Sequence, residues 1–167
     1  MFLRIGAAVM FILAGAAAGA SASEKLRREL EVCRAAGTLL RHTYAMIRGT
    51  GMDLYRLSAE LKRTDGLESL GFVSELPEHF SPDEDYRRVW RSLVEKDRIP
   101  PEEKRLLLSL GEELGSMDIE GQLAAIAVLE EQLRETESKR REELSKRTRL
   151  YCCAGTLFGA MAGILVI

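Results

Sequence analysis

The sequence predicts an all-α protein, an antiparallel helical bundle flanked by N- and C-terminal transmembrane helices. Apolar residues recur at three- and four-residue steps through the middle of the chain, and no run alternates with period two. Each end is an uncharged apolar stretch of 18 residues, 5–22 and 150–167. At a rise of about 1.5 Å per residue each stretch gives about 27 Å of helix, close to the ~30 Å hydrocarbon core of a bilayer. The expected division is a membrane helix over 5–22, a cytoplasmic bundle over 23–133, a charged helical stalk over 134–149 and a second membrane helix over 150–167.

The average composition, 46% apolar and 30% charged with net charge −2, hides this partition. Every Asp and Glu, and every Lys and Arg except Arg4, lies within 23–149. That stretch is long enough for one core and too short for two. Its near-neutral balance offers no basic field, and it lacks the aromatic-plus-basic motif of an RNA-binding sheet, so nucleic acid is not an expected partner. Cys33 lies in a helical pattern, whereas Cys152 and Cys153 sit side by side in the C-terminal apolar stretch. They form neither a disulfide framework nor a metal site and suit a reducing compartment.

Two readings of the N-terminal stretch stand. Arg4, the apolar run and the small-residue sites Ala18-Gly19-Ala20 and Ala20-Ser21-Ala22 fit a signal peptide. Its removal would leave a tail-anchored envelope domain with a binding or sensory role. Against this, Lys25, Arg27, Arg28 and Arg34 follow the stretch, and Lys139, Arg140, Arg141, Lys146, Arg147 and Arg149 precede the other one. Basic inner flanks resist translocation, which favours an uncleaved two-pass hairpin in the lipid bilayer with its middle in the cytoplasm and both termini outside. Gly15 and Gly19 on one apolar segment, and Gly155, Gly159 and Gly163 on the other, have the four-residue spacing that lets membrane helices pack closely. Pairing within one chain and pairing between copies in a homo-oligomer both fit.

The first polar helix is expected to continue from the membrane segment, with Leu26, Leu30, Cys33, Ala36 or Gly37, Leu40, Tyr44 and Ile47 on its apolar face. Gly49-Thr50-Gly51 breaks it, and Asp53 caps a short helix carrying Leu54, Leu57 and Leu61. Gly66 marks a loop. The stretch 67–76 reads as a short apolar helix at most, ended by Pro77. Ser81-Pro82-Asp83-Glu84 has the form of a capping box, predicting a helix to about Lys96 that buries Tyr86, Val89, Trp90 and Leu93. Pro100-Pro101-Glu102-Glu103 opens the next, with Leu106, Leu107, Leu110 and Leu114 on its apolar face. The last helix starts near Asp118 and runs to the terminus, packing Leu123, Ile126, Ala127, Leu129 and Leu133. Beyond them 134–143 has no apolar residue, the pattern of a solvent-bridging stalk held by pairs such as Glu135 with Lys139.

No residues with the pattern of a catalytic site are present. His42 and His79 stand apart from each other and from any cysteine, and no phosphate loop, nucleophile elbow or H-E-x-x-H occurs. Asp83-Glu84-Asp85 and Glu102-Glu103 read as first-turn carboxylates facing helix dipoles and not as cation ligands. The expectation is a non-enzymatic protein with no metal or cofactor.

The densest motif joins the last two helices. Gly115 suits the left-handed conformation that ends a helix, Asp118 caps the next, and Gln122 lies one turn on, within reach across the corner. Leu114 closes the preceding apolar face, and Gly111 inside that helix costs about 1 kcal/mol against alanine, which marks close approach of a neighbouring backbone. With this motif, the arginine- and leucine-rich first helix, the short helix 54–61, the Tyr/Trp-bearing segment 86–93, the charged stalk and the two apolar ends, the chain resembles the stage III sporulation protein AB family of endospore-forming bacteria. The resemblance implies a place in the outer forespore membrane, a domain facing the mother-cell cytoplasm, and membership of the channel-like complex joining the two cells. It further implies a bundle similar to the F-type platform of secretion machines. The partners so implied are a sporulation secretion-type ATPase and other membrane subunits of the same complex. The motif Gly111, Leu114, Gly115, Asp118 and Gln122 is then either structural or partner-facing.

Overall fold

The computed structural model describes the backbone of residues 2–50, 53–82, 85–116 and 118–166, and the side chains of 24–49, 53–82, 85–116, 118–147 and 150. Its elements are α1 (Phe2–Thr50), α2 (Leu54–Arg63), a 3₁₀ helix (Gly71–Glu75), α3 (Tyr86–Lys96), α4 (Pro101–Glu113) and α5 (Ile119–Val166), with no strand among the described residues. The all-α class is as expected, and α1 and α5 each run unbroken for the length the periodicity indicates. The chain divides into one unit made of Met1–Arg28 with Lys139–Ile167 and a second made of Glu29–Ser138. Among the described residues no helix is long and apolar enough to cross a membrane. The segments 5–22 and 150–167 lie outside the described side chains, Leu150 excepted, and so do Gly15, Gly19, Gly155, Gly159 and Gly163.

The second unit holds one core. On α1 the buried stripe passes through Leu30, Cys33, Ala36, Leu40 and Ile47 as expected, joined by Leu39 and Thr43, while Tyr44 is half-buried. Within this unit α1 and α5 are antiparallel, since the Arg34 guanidinium meets Glu137 at 3.4 Å while Gly37, further along α1, faces the earlier residue Leu133. The first turn of the polar stretch therefore packs on α1: Thr136 is buried and donates to the Gln132 carbonyl at 3.1 Å. Ala127, expected in the core, is exposed together with Ala124 and Val128. The buried face of α5 runs through Ile126, Leu129 and Leu133, and Ala127 stands about 100° of helical rotation from Ile126.

Asp53 caps α2, its carboxylate accepting from the Tyr55 and Arg56 amides at 2.8 and 3.3 Å, and Leu57 and Leu61 are fully buried. The stretch after Gly66 tightens into the 3₁₀ helix, which buries Phe72 and Val73 between Leu70 and Leu76. Its N-terminus is held from outside: Asp97, just past α3, accepts from the Phe72 amide at 2.9 Å. Lys104 of α4 completes this joint, donating to the Glu95 and Asp97 carbonyls at 3.0 and 2.9 Å where α3 ends.

The start of α3 differs from the expectation. Ser81 and Pro82 are not helical, Asp83 and Glu84 lie outside the described residues, and the cap is Asp85, which accepts from the Arg87 amide at 3.1 Å. The capping-box pattern recurs in register one turn early, but burial of Tyr86 against α2 decides where the helix begins. Accordingly Tyr86, Trp90 and Val94 form the buried face, with Val89 and Leu93 only half-buried. α4 begins as expected, with Pro101 in its first turn and Leu106, Leu107, Leu110 and Leu114 buried. The pair α3 and α4 is antiparallel, Arg87 meeting Leu114 at one end and Lys104 meeting Asp97 at the other.

Candidate functional site

The corner between α4 and α5 is built from Leu114, Gly115, Asp118 and Gln122, with Gly111 set one turn back in α4. The Leu114 amide donates to the Leu110 carbonyl at 3.0 Å, closing the last turn of α4, and the fully buried Leu114 side chain anchors that turn. Gly115 then takes φ +69°, where a Cβ would crowd its own backbone and approach Leu54 Cδ1 to 3.3 Å. Asp118 caps α5 by accepting from the Gly121 amide at 3.1 Å. One turn on, the Gln122 side-chain carbonyl accepts from the Gly115 amide at 3.2 Å, bridging the corner. Arg87 donates from Nε to the Leu114 carbonyl at 3.3 Å and ties α3 to the same place. Gly115→Ala is expected to cost about 1–2 kcal/mol. Gly115→Asn should cost less, because asparagine tolerates the left-handed region; urea denaturation followed by circular dichroism measures both.

Gly111 serves a side chain and not a backbone. A Cβ there would fall 2.6 Å from Nε1 and 2.9 Å from Cγ of Trp90, so the close approach expected from the sequence is that of the indole. Trp90 is 1% exposed and donates from Nε1 to the Leu107 carbonyl at 2.8 Å, one turn before Gly111. The absent side chain of Gly111 thus makes the slot through which α3 reaches the backbone of α4.

From Trp90 an aromatic series leads outward. The Phe72 ring meets the indole edge-on at 5.2 Å, Tyr86 lies at 6.2 Å, Tyr55 meets Tyr86 at 5.6 Å, and Phe80 meets Tyr55 at 5.8 Å. Phe80 ends the series in solvent, 73% exposed, on the loop between Pro77 and Pro82. Beside it the Lys62 ammonium, 2.7 Å from Glu78, holds that carboxyl below the usual range. Inside the series the Ser58 hydroxyl donates to the Leu54 carbonyl at 3.0 Å, which leaves Tyr86 to donate to Ser58 at 2.9 Å.

Burial pushes the Tyr86 phenol up to about 12, opposed in part by Ser58 and reinforced by Tyr55. The unfolded phenol ionises near pH 10. The stability held by neutral Tyr86 is therefore complete below pH ~10 and is lost as pH rises through ~12. Absorbance at about 295 nm should show one tyrosine that does not ionise near pH 10, and Tyr86→Phe should remove that late step.

The helix ends share one region of this unit. α1 ends just before α2, the start of α2 touches Gly115, the start of α3 touches Leu114, and α5 begins three residues beyond Gly115 at the Asp118 cap. Phe80 and Ile119, two of the four large exposed apolar side chains among the described residues, belong to these ends; Ile119 is 49% exposed. Alongside lies a groove of about 320 Å³ between α3 and α4, where Arg87, Arg88 and Arg91 stand over Leu108 and Gly111. Arg91 pairs with Glu112 across it. Sequence reasoning singled out neither the arginines nor Phe80. The spacing of 87, 88 and 91 places them on one helix face, and the prolines flanking Phe80 mark a protruding loop, but neither signal distinguishes a partner surface from ordinary solvated residues.

His42 and His79 are exposed and Cys33 is buried, while Cys152 and Cys153 lie outside the described residues. Among the described residues no group of three or more His, Cys, Asp or Glu side chains is placed to hold a metal ion.

Comparison with the curated proteins and with the solved structures returned no match. The family model described as stage III sporulation protein AB matches residues 4–167, taking in the corner, the bundle and both apolar ends. The chain therefore belongs to the stage III sporulation protein AB family, and its role is in sporulation.

Proposed function

We propose that this protein is a non-enzymatic platform subunit of a sporulation channel complex. Its two apolar ends anchor it in the outer forespore membrane, and its bundle, similar to the F-type secretion platform, docks a sporulation ATPase from the mother-cell side onto other membrane subunits. The observation that carries this reading is the single family match running from residue 4 to residue 167, which joins both apolar ends and the bundle in one architecture. The corner adds support. Gly111, Leu114, Gly115, Asp118 and Gln122 hold the helix ends in fixed positions, so the surface they carry is pre-organised, which lowers the ordering cost of binding.

Full-length protein co-purified with the ATPase of the same sporulation operon tests the docking role. A stable complex is expected, with nucleotide hydrolysis by the ATPase alone; hydrolysis by this protein, or no binding at about 10 µM, a level where even weak specific complexes form, would count against it. A reporter fused after Ile167 should be exposed outside the cytoplasm, and a cytoplasmic readout would overturn the two-pass topology. The alanine-rich sites before Ala22 support a second reading, a cleaved, tail-anchored envelope domain. The intact mass of the membrane-extracted protein separates the two.

A further inference from the structure

We propose that the groove between α3 and α4 receives an acidic segment of a protein partner, one that presents a carboxylate to Arg88 and an apolar side chain to Leu108. The identity of that partner rests on the docking role above; the chemistry of the groove does not.

The argument begins with the three arginines. They occupy positions 87, 88 and 91 of α3, within one turn, and all are exposed. Their present engagements differ. Arg87 gives Nε to the Leu114 carbonyl, so its plane is fixed while its terminal nitrogens remain available. Arg91 is held by Glu112, and Arg88 makes no hydrogen bond or ion pair among the described residues. One guanidinium is thus oriented, one is screened by an exchangeable carboxylate, and one has no partner among the described residues. A guanidinium binds a carboxylate through two parallel N–H donors, and this set provides that geometry at least once without breaking any bond.

The floor supplies the second half of recognition. Leu108 is half-buried and forms the apolar floor, while Gly111 borders the groove where the Trp90 indole takes the place of its missing side chain. A volume of about 320 Å³ is at the lower end of ligand cavities, which suits one or two side chains of a partner and not a whole cofactor. Among the described residues lining the groove, Asp85 and Glu112 stand against the three arginines, which leaves a slight positive balance. A phosphate backbone, which needs several neutralised charges, would meet repulsion from both carboxylates. A peptide carrying separated carboxylates among apolar residues meets one open guanidinium and an apolar floor, which is the complementary pattern.

Trp90 makes the groove observable. It is the only tryptophan, its indole edge borders the groove beside Gly111, and its emission therefore reports on occupancy. Two measurements on the full-length chain test the proposal. In the first, affinity for the operon ATPase is compared for wild type, Arg88→Glu and Arg98→Glu, the last an exposed arginine just past the far end of α3 and outside the groove. Arg88→Glu should weaken binding about tenfold or more and Arg98→Glu should leave it near wild type. In the second, Trp90 emission is titrated with a short peptide in which single glutamates alternate with leucine. Saturation below about 1 mM is expected, lost on Arg88→Glu and weakened by salt as the screening length shortens.

If the ATPase binds and Arg88→Glu binds equally well, the groove is not its contact and this proposal fails while the platform reading stands. If wild type does not bind the ATPase, the platform reading fails and the peptide titration alone decides the groove. No saturable response, or an equal response to the lysine-for-glutamate peptide or to inorganic polyphosphate, would overturn it.

Discussion

Gly111→Ala is expected to destabilise the bundle by about 2 kcal/mol, although alanine is the better helix former. Propensity alone would favour the substitution by about 1 kcal/mol in a helix interior. The new methyl, however, would have to occupy space now held by the Trp90 indole, 2.6 Å from Nε1 and 2.9 Å from Cγ. Neither neighbour is the free end of a flexible chain, so α3 must move away from α4 or the indole must leave its rotamer. Overpacking of this kind costs about 1–3 kcal/mol. The displaced indole also gives up its hydrogen bond to the Leu107 carbonyl, for about 1 kcal/mol more. Urea denaturation monitored by Trp90 emission should show the lower midpoint and a red-shifted folded spectrum. A midpoint equal to or above wild type would mean that the slot is not tight.

Trp90→Ala should cost about 4 kcal/mol, the typical loss for a large buried aromatic. The indole touches Phe72 and Tyr86, reaches the α4 backbone, and is 1% exposed. Against a total stability of about 5–15 kcal/mol for a domain of this size, the loss leaves the bundle marginal. Circular dichroism replaces fluorescence as the probe, because the only tryptophan is gone. The two substitutions should not add. In a Trp90→Ala background the methyl of Gly111→Ala enters vacated space, so its cost should vanish or reverse, a coupling of about 2 kcal/mol. Simple additivity would place the Gly111 effect elsewhere.

Much of the site was legible because its chemistry is local. Asp53 and Asp118 are cap residues just ahead of apolar periodic runs, and both accept from the first-turn amides that such residues can reach. The roles of Gly115 and Gln122 follow from the backbone conformation that ends a helix and from the reach of an amide one turn away. The start of α3 is not legible in the sequence, because a serine cap pattern at Ser81 and an aspartate cap at Asp85 lie about one turn apart and local propensity alone does not choose between them. Burial of Tyr86 against Tyr55 and Ser58 chooses, through residues about thirty positions away. Gly111 was recognised as a point of close approach, but its partner was not, since position 90 is linked to 111 only by the packing of α3 on α4.

The sequence by itself determined the all-α class, the caps of α2 and α5, the left-handed corner and the family, because each depends on residue types at short fixed spacings. Only the tertiary structure decided what those spacings are used for. It placed the indole in the Gly111 slot, paired Glu137 of the polar stretch with Arg34, and gathered Arg87, Arg88 and Arg91 over Leu108. These relations join residues distant in the chain, and they exist only once apolar burial has brought the helices together.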